Sequence, residues 1–310
     1  MTSSDHRIDA RDWSLLAVLS VLWGGSFFFV GVAIRELPPL TVVLARVALA
    51  AIILLPALWI YRIPLPKGMA GWRPFFAIAL LNNVLPFSLI VTGQSHVSSG
   101  LASILNATTP LFTVLVMAAA GDERLLARRV AGVIIGLAGV AILRGPDLGF
   151  SGSQGFGILL CLAGAFSYGL SALYARRKLS ASPPLATATF QMLASTLMMI
   201  VVAGAFERPW QLPMPGVTTW LALLGLSVLS TALAYIVFFQ ILRRSGSTNV
   251  MLVTLLIPVT AIVLGYLVLG ETMTLAEIAG ALVIGSALLV IDGRVFGLVR
   301  GAASIPKATP

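Results

Sequence analysis

Residues 98–145 read SSGLASILNATTPLFTVLVMAAAGDERLLARRVAGVIIGLAGVAILRG, and residues 246–293 read GSTNVMLVTLLIPVTAIVLGYLVLGETMTLAEIAGALVIGSALLVIDG. A shift of 148 positions lays Pro110 on Pro258, Glu123 on Glu271, Gly132 on Gly280 and Gly145 on Gly293. Each stretch is a long apolar run broken by a proline, then a short acidic turn, then a Gly-rich apolar run. Identities in register are few. The shared order of physical features carries the match, and it reads as one structural unit present twice.

The surrounding composition names the solvent. Of 310 residues, 58% are hydrophobic and 10% are charged, with a mean hydropathy of +1.00. A soluble domain carries about 25% charged residues, so the chain reads as a polytopic membrane protein. The net charge of +9 would suit a nucleic-acid binder, but the bases lie between apolar runs, as membrane topology requires. No nucleic-acid partner is expected. Cys161, the single cysteine, sits inside an apolar run and reads as a small packed hydrophobe. The first apolar run, about 22 residues, exceeds the roughly 7–15 of a signal-peptide core and reads as a retained helix.

A helix needs about 20 apolar residues to cross the hydrocarbon. Ten segments meet that test: 13–34, 40–60, 74–95, 98–120, 129–145, 155–175, 185–206, 217–241, 247–269 and 274–293. Placing the N-terminus in the cytoplasm puts sixteen Lys and Arg on the inner side and three, Arg35, Arg144 and Arg208, on the outer side, with Arg46 inside the second span. Such a bias fits the positive-inside rule. Five spans per half is an odd number, so the second half must enter from the opposite side. The expected fold is an all-α integral membrane protein of ten transmembrane helices, arranged as two inverted five-helix repeats around a central cavity. Residues 1–12 form a cytoplasmic N-terminal tail, 13–145 the first repeat, 155–293 the second, and 294–310 a cytoplasmic tail. Folds of this kind hold a solute near mid-depth between the halves and alternate access by rocking.

Polar residues inside the spans are the candidate site. The first helix carries Trp23-Gly24-Gly25-Ser26 and the sixth carries Ser167-Tyr168-Gly169 with Ser171, about 145 positions later. Glycines there permit close approach of a helix or a ligand. Trp23 and Tyr168 each have a polar tip that needs a partner at mid-depth. Asn82 and Asn83 lie in the third helix with Pro86 and Phe87 following; a buried amide must find hydrogen bonds or water. In the eighth helix Ser227, Ser230, Thr231 and Tyr235 fall on one face at helical spacing, with Phe238 beyond. The fourth and ninth helices pair Asn106 with Pro110 and Thr254 with Pro258, a repeated signal for kinked helices that free carbonyls at the site. For each group, interhelical packing competes with the cavity reading. Gly132, Gly136 and Gly139, with Ala281 and Gly285, are read as close helix packing. Thr274 with Glu277 is read as a capping box. Arg46, about 9 Å into its helix at 1.5 Å per residue, is read as structural, snorkelling outward.

All eleven acids lie away from helix midpoints. A proton- or cation-coupled carrier usually keeps an ionisable group at mid-depth, so obligatory coupling is not expected. His6 and His96 have no second ligand at metal-binding spacing, and no Walker sequence, nucleophile elbow or HExxH is present. Neither a metal, a cofactor nor an enzyme activity is expected. A pocket with no fixed charge favours a neutral or zwitterionic solute with an apolar part.

With these residues the chain resembles the drug/metabolite transporter superfamily, in particular its ten-helix EamA-type members. The resemblance covers residues 13–294. It rests on Leu22-Trp23-Gly24-Gly25-Ser26, on the Pro110 and Pro258 positions, and on Leu269-Gly270-Glu271-Thr272-Met273-Thr274-Leu275 followed by Gly280 and Gly285. Gly121-Asp122-Glu123, the first-half counterpart, matches more loosely. The resemblance implies inverted repeats around a cavity, peripheral fifth and tenth helices, and export of small metabolites across the bacterial inner membrane. YddG-like amino-acid exporters are the nearest branch, since Trp23, Phe87, Tyr168, Tyr235 and Phe238 would line an aromatic cavity. The expected function is export or exchange of amino acids or similar metabolites by alternating access; the alternatives are a broad drug exporter of the same fold and, from another class, a membrane-embedded enzyme or structural partner. The expected partners are a small-molecule substrate and the lipid bilayer, with a monomer as the expected unit.

Overall fold

The computed structural model describes residues 10–123, 126–144, 152–238, 240, 241, 244 and 253–292. These residues build ten helices: α1 Ala10–Ala33, α2 Pro39–Ile60, α3 Gly68–Gln94, α4 Ser99–Ala119, α5 Ala127–Arg144, α6 Ser153–Lys178, α7 Pro184–Phe206, α8 Val217–Phe238, α9 Val253–Leu269 and α10 Leu275–Asp292. Eight are long and apolar enough to cross a membrane. Of the other two, α9 is described only from Val253, its expected start at 247 lying outside the described residues, and α5 carries arginines at both ends. Among the spans whose ends lie within the described residues, the largest departure is α3, which starts at Gly68 rather than 74.

Local chemistry sets the helix ends. Proline, lacking an N–H and already at helical φ, opens α2 and α7. Ser98 caps α4 through a bond from the Leu101 N–H at 3.2 Å. Thr274 and Glu277 form the reciprocal box, with Thr274 N–H donating to Glu277 at 2.8 Å and Glu277 N–H to Thr274 Oγ1 at 3.2 Å.

The principal helix pairings survive exchange of the halves, each helix for the one five further along. α1 packs on α9 and α8 where α6 packs on α4 and α3; α2 packs on α8 where α7 packs on α3. The pairs α2–α7, α4–α9 and α5–α10 map onto themselves. Two details follow the same symmetry. A Cβ on Gly24 would meet Thr260 of α9 at 2.6 Å, and a Cβ on Gly169 would meet the backbone of Phe112 in α4 at 3.1 Å; a shift of 148 carries Phe112 onto Thr260. Beyond the ends of α2 and α7, Arg62 and Arg208 take left-handed backbone conformations, with φ of 51° and 48°.

Equivalent helices run antiparallel, so the halves are inverted. Glu207, past the end of α7, accepts the Leu40 and Thr41 N–H groups at the start of α2. Gly139 near the end of α5 faces Gly280 near the start of α10. One face of the bundle gathers Glu36 with Gly216 N–H, Glu271 with Ser99 and Gly100 N–H, and His96 with Ser153. The opposite face holds Asp122 with Arg177, Glu123 with Arg176 and Arg129, and Asp12 with Arg244. Carboxylates thus sit at helix ends, where N–H groups or arginines receive them.

The α5–α10 pair stands outside the other eight helices. Between α10 and the α4–α9 pair lies an apolar side groove of about 940 Å³, lined by Ile104, Pro258, Tyr266, Gly285 and Leu289 among others. It corrects one packing expectation. Gly280, not Gly285, makes the close approach to α5, while Gly285 has nothing within 4 Å of a built Cβ.

Candidate functional site

A second cavity, about 440 Å³, lies between the halves and draws its walls from α1–α4 and α6–α9. It is smaller than the side groove, but polar groups from eight helices converge on it, which is the mark of a binding site.

Two wide helical turns build its polar side. In α3 the backbone adopts π-helical bonding over Leu80–Val84, ahead of Pro86, whose missing N–H leaves the ladder open there. In α8 the same widening spans Gly225–Leu233. These are the third helices of the two halves, so both repeats carry the device at the same place.

The turn in α3 carries two neighbouring amides, which point apart as successive residues of a helix do. Asn82 lines the cavity. Its Nδ2 donates to Gln191 Oε1 and to the Tyr235 hydroxyl, both at 3.4 Å, and its Oδ1 accepts from Ser171 at 3.1 Å. Gln191 Nε2 also donates to the Tyr235 hydroxyl, at 3.2 Å. Asn83 is fully buried and turns to α7, donating to Ser195 at 2.9 Å. The turn in α8 acts similarly. Ser230 lines the cavity, whereas Thr231 stands behind it and accepts from Arg46 Nε at 3.1 Å.

Of the residues expected from sequence, Trp23, Ser26, Asn82, Phe87, Asn106, Tyr168, Ser171, Ser230, Tyr235, Phe238 and Thr254 meet around this cavity. Trp23 and Phe238 stack at 5.5 Å between centroids, closing one wall. Ser26 spends its hydroxyl on the Trp23 carbonyl. Asn83 and Thr231 do not line the cavity. The prolines divide. Pro110 follows a break at Ala107–Thr108 that splits α4, and Pro86 follows the wide turn of α3. Pro258 lies within a continuous stretch of α9, and the irregular turn of that helix comes later, at Gly265–Leu269.

Arg46 overturns two expectations. It does not reach outward; it lines the cavity with 9% of its surface exposed, its guanidinium 3.7 Å from the Phe87 ring centroid. The pocket therefore contains a fixed positive charge. Gln94, Gln191, Thr109 and Thr113 also line it and were not singled out. Gln191 carried a usable signal, as a lone amide within a span, because hydrocarbon penalises an unpaired amide wherever it falls.

Comparison with known proteins agrees with this architecture. The EamA-like transporter family model matches residues 12–145 and again 155–291, one match per half. A protein of Salmonella typhimurium named "Probable amino-acid metabolite efflux pump" is 28% identical over 95% of this chain and 98% of its own length. Its Escherichia coli namesake is 26% identical over 93% and 96%, and "Uncharacterized transporter YoaV" of Bacillus subtilis is 25% identical over 87% and 93%. One solved crystal structure superposes with a TM-score of 0.64 at 20% identity, covering 91% of this chain and 97% of that one; it supports the fold alone. The chain belongs to the EamA-like transporter family and is a multi-pass membrane transporter, not an enzyme.

Proposed function

We propose that this EamA-like transporter exports or exchanges amino acids or similar small metabolites across the bacterial inner membrane by alternating access, without obligatory proton coupling. Residues 13–145 and 155–293 act as the two rocking units, with residues 1–12 and 294–310 as cytoplasmic tails. The observation that carries the reading is the mid-bundle cavity, walled by both inverted halves and furnished with amides and hydroxyls. Polar groups there bind a small polar head, and Trp23, Tyr168 and Phe238 receive an apolar body. No acid among the described residues lines the cavity, which favours an uncoupled carrier. The relatives named as amino-acid metabolite efflux pumps lend the solute class. Orientation follows from the bias of Lys and Arg.

The test is reconstitution into liposomes with labelled amino acid, with and without a pH gradient. Exchange should persist when the gradient is collapsed; strict dependence on it would defeat the uncoupled mechanism. Competition by lipophilic cations in the same liposomes separates metabolite export from drug export.

A further inference from the structure

We infer that Arg46 recognises a carboxylate on the transported solute; this deepens the proposed function and rests on the central cavity being the transport site. Among the described residues, Arg46 is the cation that lines that cavity. Its Nε is held by Thr231 at 3.1 Å and its face lies 3.7 Å over Phe87, which fixes the plane of the guanidinium. Among the described residues its two terminal nitrogens have no acceptor, and no carboxylate pairs with it. Glu36, Glu207, Glu271 and Glu277 are committed to helix N-termini, and Asp12, Asp122 and Glu123 to other arginines. A lone charge at this depth is costly and marks function; a single ring contact offsets part of that cost.

An oriented guanidinium with both terminal nitrogens open matches a planar carboxylate through two parallel bonds. The structure thus assigns the cavity to a small solute bearing a carboxylate, such as a free amino acid, and against lipophilic cations, which Arg46 repels.

The test uses the purified full-length protein with leucine, leucinamide, isocaproate (the carboxylate without the amine) and isoamylamine (the amine without the carboxylate). Competition against labelled leucine counterflow in liposomes and thermal protection in detergent are both read. Leucine and isocaproate should compete and protect at least about tenfold more effectively than leucinamide and isoamylamine. R46Q should abolish the difference and R46K, which keeps the charge without the fork, should retain part of it. A wild type that protects equally with acid and amide overturns the inference. So does an R46Q protein that keeps the preference, or, where R46Q does not fold, an R46K protein indistinguishable from wild type. If leucine is not exchanged while isocaproate protects wild type and not R46Q, the amino-acid reading fails and the role of Arg46 stands.

Discussion

Gly139 and Gly280 meet backbone to backbone where α5 crosses α10. A Cβ on Gly139 would fall 3.1 Å from the Gly280 carbonyl oxygen, and one on Gly280 would fall 2.7 Å from that of Gly139. Small residues permit such approach, and van der Waals contact then holds helices that hydrocarbon alone does not drive together. Gly280→Val should force the pair apart at a cost of about 1–3 kcal/mol, read as a lower melting temperature in detergent. Gly285→Val, on the same helix but facing open space, should leave the melting temperature nearly unchanged. Equal effects from both would show that the contact contributes nothing.

Glu207 joins the halves through the start of α2. Its carboxylate accepts the Leu40 N–H at 2.9 Å, the Thr41 N–H at 2.6 Å and the Thr41 hydroxyl at 2.8 Å. Removing it orphans two helix N-terminal donors. Glu207→Ala should destabilise by about 1–2 kcal/mol, and Glu207→Gln, which keeps one acceptor, by less. Thermal melting of the three proteins in one detergent decides this.

Tyr235 offers its hydroxyl to both Asn82 and Gln191. Tyr235→Phe keeps the ring and removes the shared acceptor. The two amides should lose their orientation, and exchange should fall by up to about tenfold in kcat/KM while the melting temperature changes little. Rates in liposomes test it; unchanged exchange would place this network outside the solute's path.

On the opposite face from Glu207, the Arg177 guanidinium holds the Asp122 carboxyl below the usual carboxylate range, bonding it from Nη2 and Nε. A carboxyl whose folded pKa is depressed contributes stability that is present above its unfolded pKa and fades as pH falls through the folded one. Wild type should therefore melt above Asp122→Asn at neutral pH, and the gap should close on acidification. The pair is exposed, so added salt should narrow the gap as well. A gap that widens toward low pH would contradict the assignment.

Much of this architecture was legible in the residues. Apolar runs of spanning length, an excess of Lys and Arg at alternate connections and five spans per half dictate inverted insertion, because an odd count returns the chain to the opposite face. The equivalence of Trp23 with Tyr168 was readable too, since a glycine follows each and those glycines pack on equivalent helices. Helical periodicity narrowed the site but did not resolve neighbours. It put Ser230 and Thr231 on one broad face, but neighbours on a helix point about 100° apart, and only the packing around α8 decides that Ser230 lines the cavity while Thr231 stands behind it.

What the sequence determined by itself is the solvent, the number of crossings and the inversion, since each follows from hydropathy, charge and parity along the chain. What only the tertiary structure decided is which polar side chains share the cavity. Asn82 faces the cavity because Ser171, Gln191 and Tyr235 meet it there while Asn83 meets Ser195, and Arg46 points inward because Phe87 from α3 and Thr231 from α8 receive it there. Those partners are far apart in the chain, and their meeting depends on helix packing that no local pattern encodes.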